Sequence, residues 1–303
     1  MYKIGVDLGG TNIAIGLIDQ TNKMVAKDSV KTGKSVDAII NDMADLVLKI
    51  LESQGLTTEA ISHVGIGVPG TCDYEVGIIK NAPNIGFINV NIREKIEAKL
   101  KLPVYIENDA NAAALGEAVA GAGSAHQNTL MVTLGTGVGV GVVLNGQVIK
   151  GDVESGHMTI DIDGPLCGCG NRGCFEAFAS ATALIRGAKA AASSQTTNIL
   201  DFAKSIDTIE AKDAFDAADA GDPAFKALID DYITHLSIGI TNLVNAYPVD
   251  AVILGGGISA RTTLIPPLME AVKKVSFIKD VKPIYAATLG NDAGIYGAAF
   301  IQP

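Results

Sequence analysis

The chain has no tryptophan, and only seven tyrosines and eight phenylalanines in 303 residues. Its core must therefore be aliphatic, built from Ala, Val, Ile and Leu. Basic side chains are scarce as well. Lys and Arg number 23 against 33 Asp and Glu, a net charge of −10. A general nucleic-acid surface needs a basic face, so that class of partner is excluded. No apolar run reaches the roughly 18 residues that span a bilayer. The N-terminus meets an acid at Asp7, too early for a secretory signal. There are only four cysteines, and three of them share one loop. That crowding fits a reducing compartment better than a disulfide framework. These absences together indicate a cytoplasmic protein without a membrane or nucleic-acid partner.

The loop that holds the three cysteines is the most informative stretch present. It reads Cys167-x-Cys169-x4-Cys174, with four glycines between Gly164 and Gly173 and His157 just upstream. Three thiolates and an imidazole complete a tetrahedral zinc shell and leave no position open for water. Such a shell is structural. Glu154 and Glu176 bracket the loop, so a metal there would shape whatever the two glutamates do. Carboxylates and an imidazole offer the several acceptors and the donor that a polyol requires. His157 can serve metal and sugar through different ring nitrogens. Glu176 can equally be an exposed carboxylate early in a helix, favourable to the dipole.

Elsewhere short apolar strands alternate with helical segments, which predicts an α/β architecture. The length permits two domains. Strand 4–8 runs through Gly9, Gly10, Thr11 and Asn12 into strand 13–18, a glycine-rich hairpin. Apolar residues at Ile39, Ile40, Met43, Leu46, Val47 and Ile50 predict a helix from Val36 to Leu51. Strand 104–106 leads through Glu107-Asn108-Asp109 into an alanine-rich helix ending near Ala120. The pattern then restarts: strand 129–134, the turn Gly135-Thr136-Gly137, and strand 138–144. The two hairpins read as a weak duplication of one unit. Asp222-Pro223 predicts a capped helix start, and strand 251–254 ends in Gly255-Gly256-Gly257.

The hairpin turns can wrap phosphate oxygens, because glycine lets the backbone come close. Asp7, at the end of an apolar strand, is costly unless a hydrogen bond or a cation such as water-held Mg²⁺ compensates it. Asn108 and Asp109 suit a helix N-cap. Asp109 also suits a general base presented at a cleft edge, and both readings hold if Asn108 caps and Asp109 points into the cleft. Gly255 to Gly257 can admit a flat base or simply form a tight turn. Two other nucleotide motifs fail. Gly33-Lys34-Ser35 lacks the earlier Walker glycine, since Asp28 stands there. The alternate glycines from Gly135 to Gly141 never form G-x-G-x-x-G.

In order and spacing these segments resemble the ROK family of sugar kinases and sugar-responsive repressors, over essentially the whole chain. The most specific match is Glu154-x-Gly-His157 followed by Gly164-Pro-Leu-Cys-Gly-Cys-Gly-Asn-Arg-Gly-Cys174-Phe-Glu176. Asp7-Leu-Gly-Gly-Thr-Asn12 and Thr133-Leu-Gly-Thr-Gly137 look like its two phosphate loops. Glu107-Asn-Asp-Ala-Asn-Ala112 looks like its catalytic segment, and Leu254-Gly-Gly-Gly-Ile258 like its adenosine-side turn. The resemblance implies a two-domain actin/hexokinase-like (ribonuclease H-like) fold with an interdomain cleft. It places a small domain at 1–111, completed by a helix at 291–303, and a large domain at 112–290. It implies ATP-dependent phosphorylation of a hexose, glucose at its 6-hydroxyl, with catalytic Mg²⁺ and structural Zn²⁺. Asp109 would be the base. Asn84, Asn108, Glu154, His157 and Glu176 would hold the sugar. Asp7, Gly9, Gly10, Thr11, Asn12, Gly135, Thr136, Gly137, Gly255, Gly256 and Gly257 would hold the nucleotide and its metal. His157, Cys167, Cys169 and Cys174 would hold zinc.

Two departures lie close to the sugar. Asp152-Val153-Glu154-Ser155 stands where glucose-specific relatives often carry Gly-Gly-Glu-Ile, and Phe87 stands nearest to the usual tryptophan. They leave mannose, allose, fructose and N-acetylmannosamine as alternatives. A sugar-sensing transcription factor on the same scaffold would need a DNA-binding helix-turn-helix ahead of Ile4, where there is no room; a non-catalytic sugar sensor is a further alternative, against which Asp109 argues. Relatives also lead us to expect a homodimer or homotetramer, and polyphosphate is an alternative donor.

Overall fold

The computed structural model describes residues 1–149, 151, 153–194, 196–278 and 281–301. Asp152, and the last two residues of the segment expected at 291–303, lie outside them. In chain order the strands and helices are β1 (Tyr2–Leu8), β2 (Asn12–Ile18), β3 (Met24–Lys31), α1 (Val36–Ser53), β4 (Ile61–Val68), β5 (Thr71–Asp73), β6 (Ile78–Ala82), β7 (Phe87–Asn91), α2 (Ile92–Leu100), β8 (Val104–Asn108) and α3 (Asp109–Ala120). There follow β9 (Thr129–Leu134), β10 (Val138–Leu144), β11 (Gln147–Val148), α4 (Phe175–Ala179), α5 (Ala181–Ser194), α6 (Ala211–Asp219), α7 (Pro223–Ala246), β12 (Ala251–Gly255), α8 (Ile265–Val275), β13 (Ile284–Ala286) and α9 (Ala293–Ala299).

Two five-stranded sheets carry the same plan. Their orders are β3-β2-β1-β4-β8 and β11-β10-β9-β12-β13. In each, an antiparallel hairpin precedes a crossover to the far side of its first strand. The duplication expected from the two glycine-rich turns thus extends to whole sheets. A third sheet, β5-β6-β7, has no counterpart in the sequence reading. Its strands are three to five residues long, too short to show a period.

The chain divides into two compact units. The first comprises Met1–Thr129, Gly141–Asp152 and Thr288–Pro303, and the second Leu130–Val140 and Val153–Ala287. The boundary at 111/112 would cut α3. That helix stays with the first unit because α9 lies directly along it. A side chain at Gly297 would stand 1.6 Å from the Ala112 carbonyl oxygen, and one at Gly65 would stand 1.7 Å from that of Ala298. Only glycine lets α9 lie this close to α3 and β4.

In the first unit α1 buries Ile39, Ile40, Met43, Leu46, Val47 and Ile50, the set the helical spacing picked out. Each contributes about 1.5–3 kcal/mol on burial, and Met43→Ala would cost about 2–5 kcal/mol. Ser35 caps the helix, its side chain accepting from the Ala38 amide. β3 alternates half-buried and exposed positions along its whole length, as a sheet edge with one wet face does. In the second unit β12 is buried throughout. α7 opens as expected, with the Asp222 side chain accepting from the Ala224 and Phe225 amides and Pro223 at the first position. Among the described residues no helix is long and apolar enough to cross a membrane.

Candidate active site and metal cluster

In the first unit the hairpin turn and the β8–α3 junction present the acidic groups. Gly9 donates its amide to the Asn12 carbonyl at 3.0 Å, and its carbonyl accepts from the Thr32 hydroxyl at 2.7 Å. The turn is therefore fixed, with Gly10, Thr11 and Asn12 left exposed. Asn84 lies beside it: a side chain at Gly10 would stand 3.6 Å from the Asn84 Cβ. Phe87, by contrast, is fully buried. It belongs to the core and cannot take the place of a ligand-facing aromatic.

At the junction the capping expectation is met by Asn108, and Asp109 is left exposed beside it. Asn108 is the N-cap of α3, its Oδ1 accepting from the Ala110 amide at 2.9 Å and the Asn111 amide at 3.3 Å. Asp109 is the first helical residue and stays exposed, one of its carboxylate oxygens accepting from the Ala110 amide at 2.8 Å. Beneath them lies Glu107, a buried carboxylate to which the sequence reading gave no role. Its Oε1 accepts from the Asn108 amide at 2.9 Å and from the Asn111 side chain at 3.0 Å. The cap is thus anchored from below.

Asp7 ends the buried run of β1 and packs against Gly294 at the start of α9. Burial, the negative charge of Asp109 and, in the opposite sense, Lys27 act on it, and together they push its carboxyl up to about 6. Burial also raises Asp109, against the pull of its backbone hydrogen bond to Ala110. A cation beside these carboxylates would offset the cost of ionising Asp7.

The second unit assembles the His-Cys cluster and the second glycine turn around Val138. Its amide donates to Glu176 Oε2 at 3.0 Å. Its carbonyl oxygen would lie 2.1 Å from a side chain at Gly156, in the short turn between Glu154 and His157. The turn with Glu154 and His157 and the helix start with Glu176 therefore meet on one residue, Val138. A side chain at Gly137 would stand 2.3 Å from Glu176 Oε2, so this glycine makes room for a carboxylate. Gly135 has open space around it, and Thr136 is exposed beside it.

His157, Cys167, Cys169 and Cys174 bring their ligand atoms within 4.8 Å of one another. Cys169 and Cys174 sulfurs lie 3.6 Å apart, as do Cys167 Sγ and His157 Nδ1. A tetrahedron with Zn–S near 2.3 Å and Zn–N near 2.05 Å has edges of about 3.8 and 3.5 Å. Both distances fit it. Burial first, then the neighbouring thiols, push Cys174 up to about 12, and a cation is what would let the set ionise. His157 faces the thiols through Nδ1, which leaves Nε2 for a second partner.

The adenosine-side turn divides into two parts. Gly255 gives way to the Met131 methyl, at 2.4 Å from a side chain built there, and Gly256, at φ +81°, gives way to the Leu134 carbonyl oxygen at 2.3 Å. Both glycines serve packing against β9. Gly257 has no such neighbour. It lines a cavity of about 450 Å³ together with Gly135, Thr136, Lys212, Phe215 and Arg261. Arg261 bonds Asp216 and Asp219 and lies over the Phe215 ring, 5.4 Å from its centroid. These wall residues escaped the sequence reading. They come from α6 and the segment after β12, and no motif marks them.

The profile of the ROK family matches residues 3–303. The chain belongs to the ROK family. It is 36% identical over 312 residues to the glucokinase of Halalkalibacterium halodurans, covering 99% of this chain and 94% of that protein. Among solved structures it is similar to the ROK hexokinase of Thermus thermophilus, with a TM-score of 0.85 at 34% identity over 99% of this chain and 97% of that one. It is similar also to a ROK family glucokinase from Streptomyces griseus solved with glucose and AMPPNP, with a TM-score of 0.76 at 33% identity over 99% and 98%. The actin/hexokinase-like fold implied by the sequence resemblance is the fold of this ROK chain.

Proposed function

We propose that this chain phosphorylates glucose at the 6-hydroxyl, with Asp109 as the general base. The coarser activity, ATP-dependent phosphorylation of a hexose, follows from its family and its glucokinase relatives. The choice of glucose rests on the glucokinase relatives, and the base assignment on the carboxylate of Asp109. It is held at the start of α3 by the Asn108 cap and is accessible, and its carboxyl lies above the ordinary carboxylate range, the direction a general base needs. In the reaction the sugar oxygen bonds to the γ-phosphorus while the bond to the β–γ bridging oxygen breaks. ADP leaves, and the hydroxyl proton passes to Asp109. The protein's part is positioning and charge neutralisation.

Gly9, Gly10, Thr11, Asn12, Gly135 and Thr136 would line the phosphates, and Gly257 with the adjoining cavity would take the adenosine. Asp7 would hold Mg²⁺ directly or through water, and the cation would supply charge neutralisation at the phosphates. Asn84, Asn108, Glu154, His157 and Glu176 would bind the sugar hydroxyls. His157, Cys167, Cys169 and Cys174 would hold a structural zinc, which would order the loop between Glu154 and Glu176. We extend the proposal to a cytoplasmic homodimer or homotetramer.

The test is a coupled ADP-release assay across glucose, mannose, allose, fructose and N-acetylmannosamine, with NMR of the product to locate the phosphate. Glucose should give the highest kcat/KM and glucose 6-phosphate the product signal. A tenfold preference for another sugar, or phosphate on another carbon, would overturn the reading.

A further inference from the structure

The second glycine turn is gripped from outside at three successive backbone points, all by one short segment of chain. Ala181 donates its amide to the Gly135 carbonyl at 2.8 Å. The Thr182 hydroxyl donates to the Thr136 carbonyl at 2.8 Å. Val138 donates its amide to Glu176 Oε2 at 3.0 Å. Gly135, Thr136 and Val138 thus each spend a backbone group on residues 176–182, and Gly137 between them is the residue whose bareness lets Glu176 approach. The segment is itself anchored. Ser180, buried, caps α5 by accepting the Ala183 amide at 3.0 Å, and Tyr232 donates its hydroxyl to the Ala179 carbonyl at 2.8 Å.

We infer that Thr182 is a positioning residue for the nucleotide. A two-strand turn rich in glycine has many backbone conformations available. Fixing the Thr136 carbonyl fixes the plane of the Thr136–Gly137 peptide, and with it the direction in which the Gly137 amide points. The Thr182 side chain touches no reacting atom. It acts by holding the loop in the form that a triphosphate meets, so the ordering cost is not charged to binding. The bond is solvent-exposed, so it adds little to folding stability and can be removed without loss of the fold. Glu176 extends the same grip toward the metal cluster, because its other oxygen lies 3.6 Å from Cys167 Sγ. The segment that steadies the loop therefore begins two residues after a thiol of the cluster.

This inference rests on the reading of residues 135–137 as a phosphate loop, and three variants separate the two. Thr182→Val keeps the shape and removes the hydroxyl; Thr182→Ser restores it. AMPPNP affinity is measured by calorimetry in the presence of Mg²⁺, alongside the KM for ATP and for glucose. Thr182→Val should weaken AMPPNP and raise the KM for ATP by about three- to tenfold, the worth of one hydrogen bond. The KM for glucose should move by less than about twofold, and thermal stability should be unchanged on the same argument from exposure. Thr182→Ser should return AMPPNP affinity to near the parent value. The inference is overturned if Thr182→Val binds AMPPNP as the parent does, if ATP and glucose KM rise together, or if Ser fails to rescue. Gly135→Ala sets a methyl in the open space at the loop, with no protein atom within 4 Å of it. If that variant keeps full AMPPNP affinity, the phosphate-loop reading falls, whatever Thr182 does.

Discussion

Replacing Asp109 by Asn isolates the proton-accepting step from the structure around it. Asn is the same size and can still accept the Ala110 amide through Oδ1, while Asn108 and Glu107 keep the cap in place. The geometry of the junction should therefore survive. What disappears is the base, whose contribution is typically about 10²–10⁴-fold, or about 3 to 5 kcal/mol at 1.36 kcal/mol per tenfold. The assay is steady-state ADP release with glucose and ATP varied separately. kcat should fall by at least about a hundredfold, and the KM for glucose should change little. A second readout does not depend on turnover. Asp7 is pushed up to about 6 by burial first and by the Asp109 charge second. In Asp109→Asn the second cause is gone and the first remains. Carbon-detected NMR should show Asp7 titrating below its parent value, yet still above the ordinary 3.8. A kcat within tenfold of the parent would refute the base assignment. An unchanged Asp7 titration would refute the coupling.

Four further outcomes follow from the same geometry. Asp7 titrates near 6 when folded and near 3.8 when free, so between those values the folded chain holds a proton that the unfolded chain has released. Stability of the metal-free protein should therefore fall as pH rises from about 4 to 6, and Mg²⁺ binding should weaken below about 6 because the cation competes with that proton; a flat urea midpoint and Mg²⁺ affinity across this window would contradict both. Removing the metal with a chelator, or Cys174→Ser, should loosen the loop from 158 to 174, seen as faster amide exchange there and a higher KM for glucose, while exchange in β1 to β4 stays slow. Gly137→Ala places a methyl 2.3 Å from Glu176 Oε2, so the carboxylate must leave the Val138 amide; losing a charged hydrogen bond of about 1.5–3 kcal/mol should raise the glucose KM at least tenfold. Glu117 is fully buried and its carboxylate accepts from the Thr288, Leu289 and Ala122 amides; Glu117→Ala strands those donors and should cost about 3 kcal/mol or more, visible as a lower Tm.

The sequence was most legible where the signal is local. The amphipathic spacing of α1, the Asn108 and Asp222 caps, the two hairpins and the Cys-Cys-Cys-His spacing are each decided within a few residues. Each was where expected. The sheet β5-β6-β7 was not legible, since its strands are too short to display alternation. Glu107 sat inside a quoted motif, but nothing in its neighbours on the chain marks it as the anchor beneath the cap. Phe87 sat beside Pro83-Asn84 and invited a ligand role that its full burial rules out.

By itself, the sequence determined the chemistry available: one loop of soft metal donors, two glycine turns, and an acid following a capping asparagine. Only the tertiary structure decided which of these meet. Asp7 and Asp109 are a hundred residues apart in the chain, and their mutual charge exists only because β1 and β8 share a sheet. Glu176 finds Val138, and Thr182 finds Thr136, across some 40 residues of intervening chain. The cavity wall of Lys212, Phe215 and Arg261 is likewise drawn from separate elements. Backbone propensity acts over a turn or two, whereas desolvation, charge coupling and long-range hydrogen bonds depend on distance in space, and only the folded chain sets that distance.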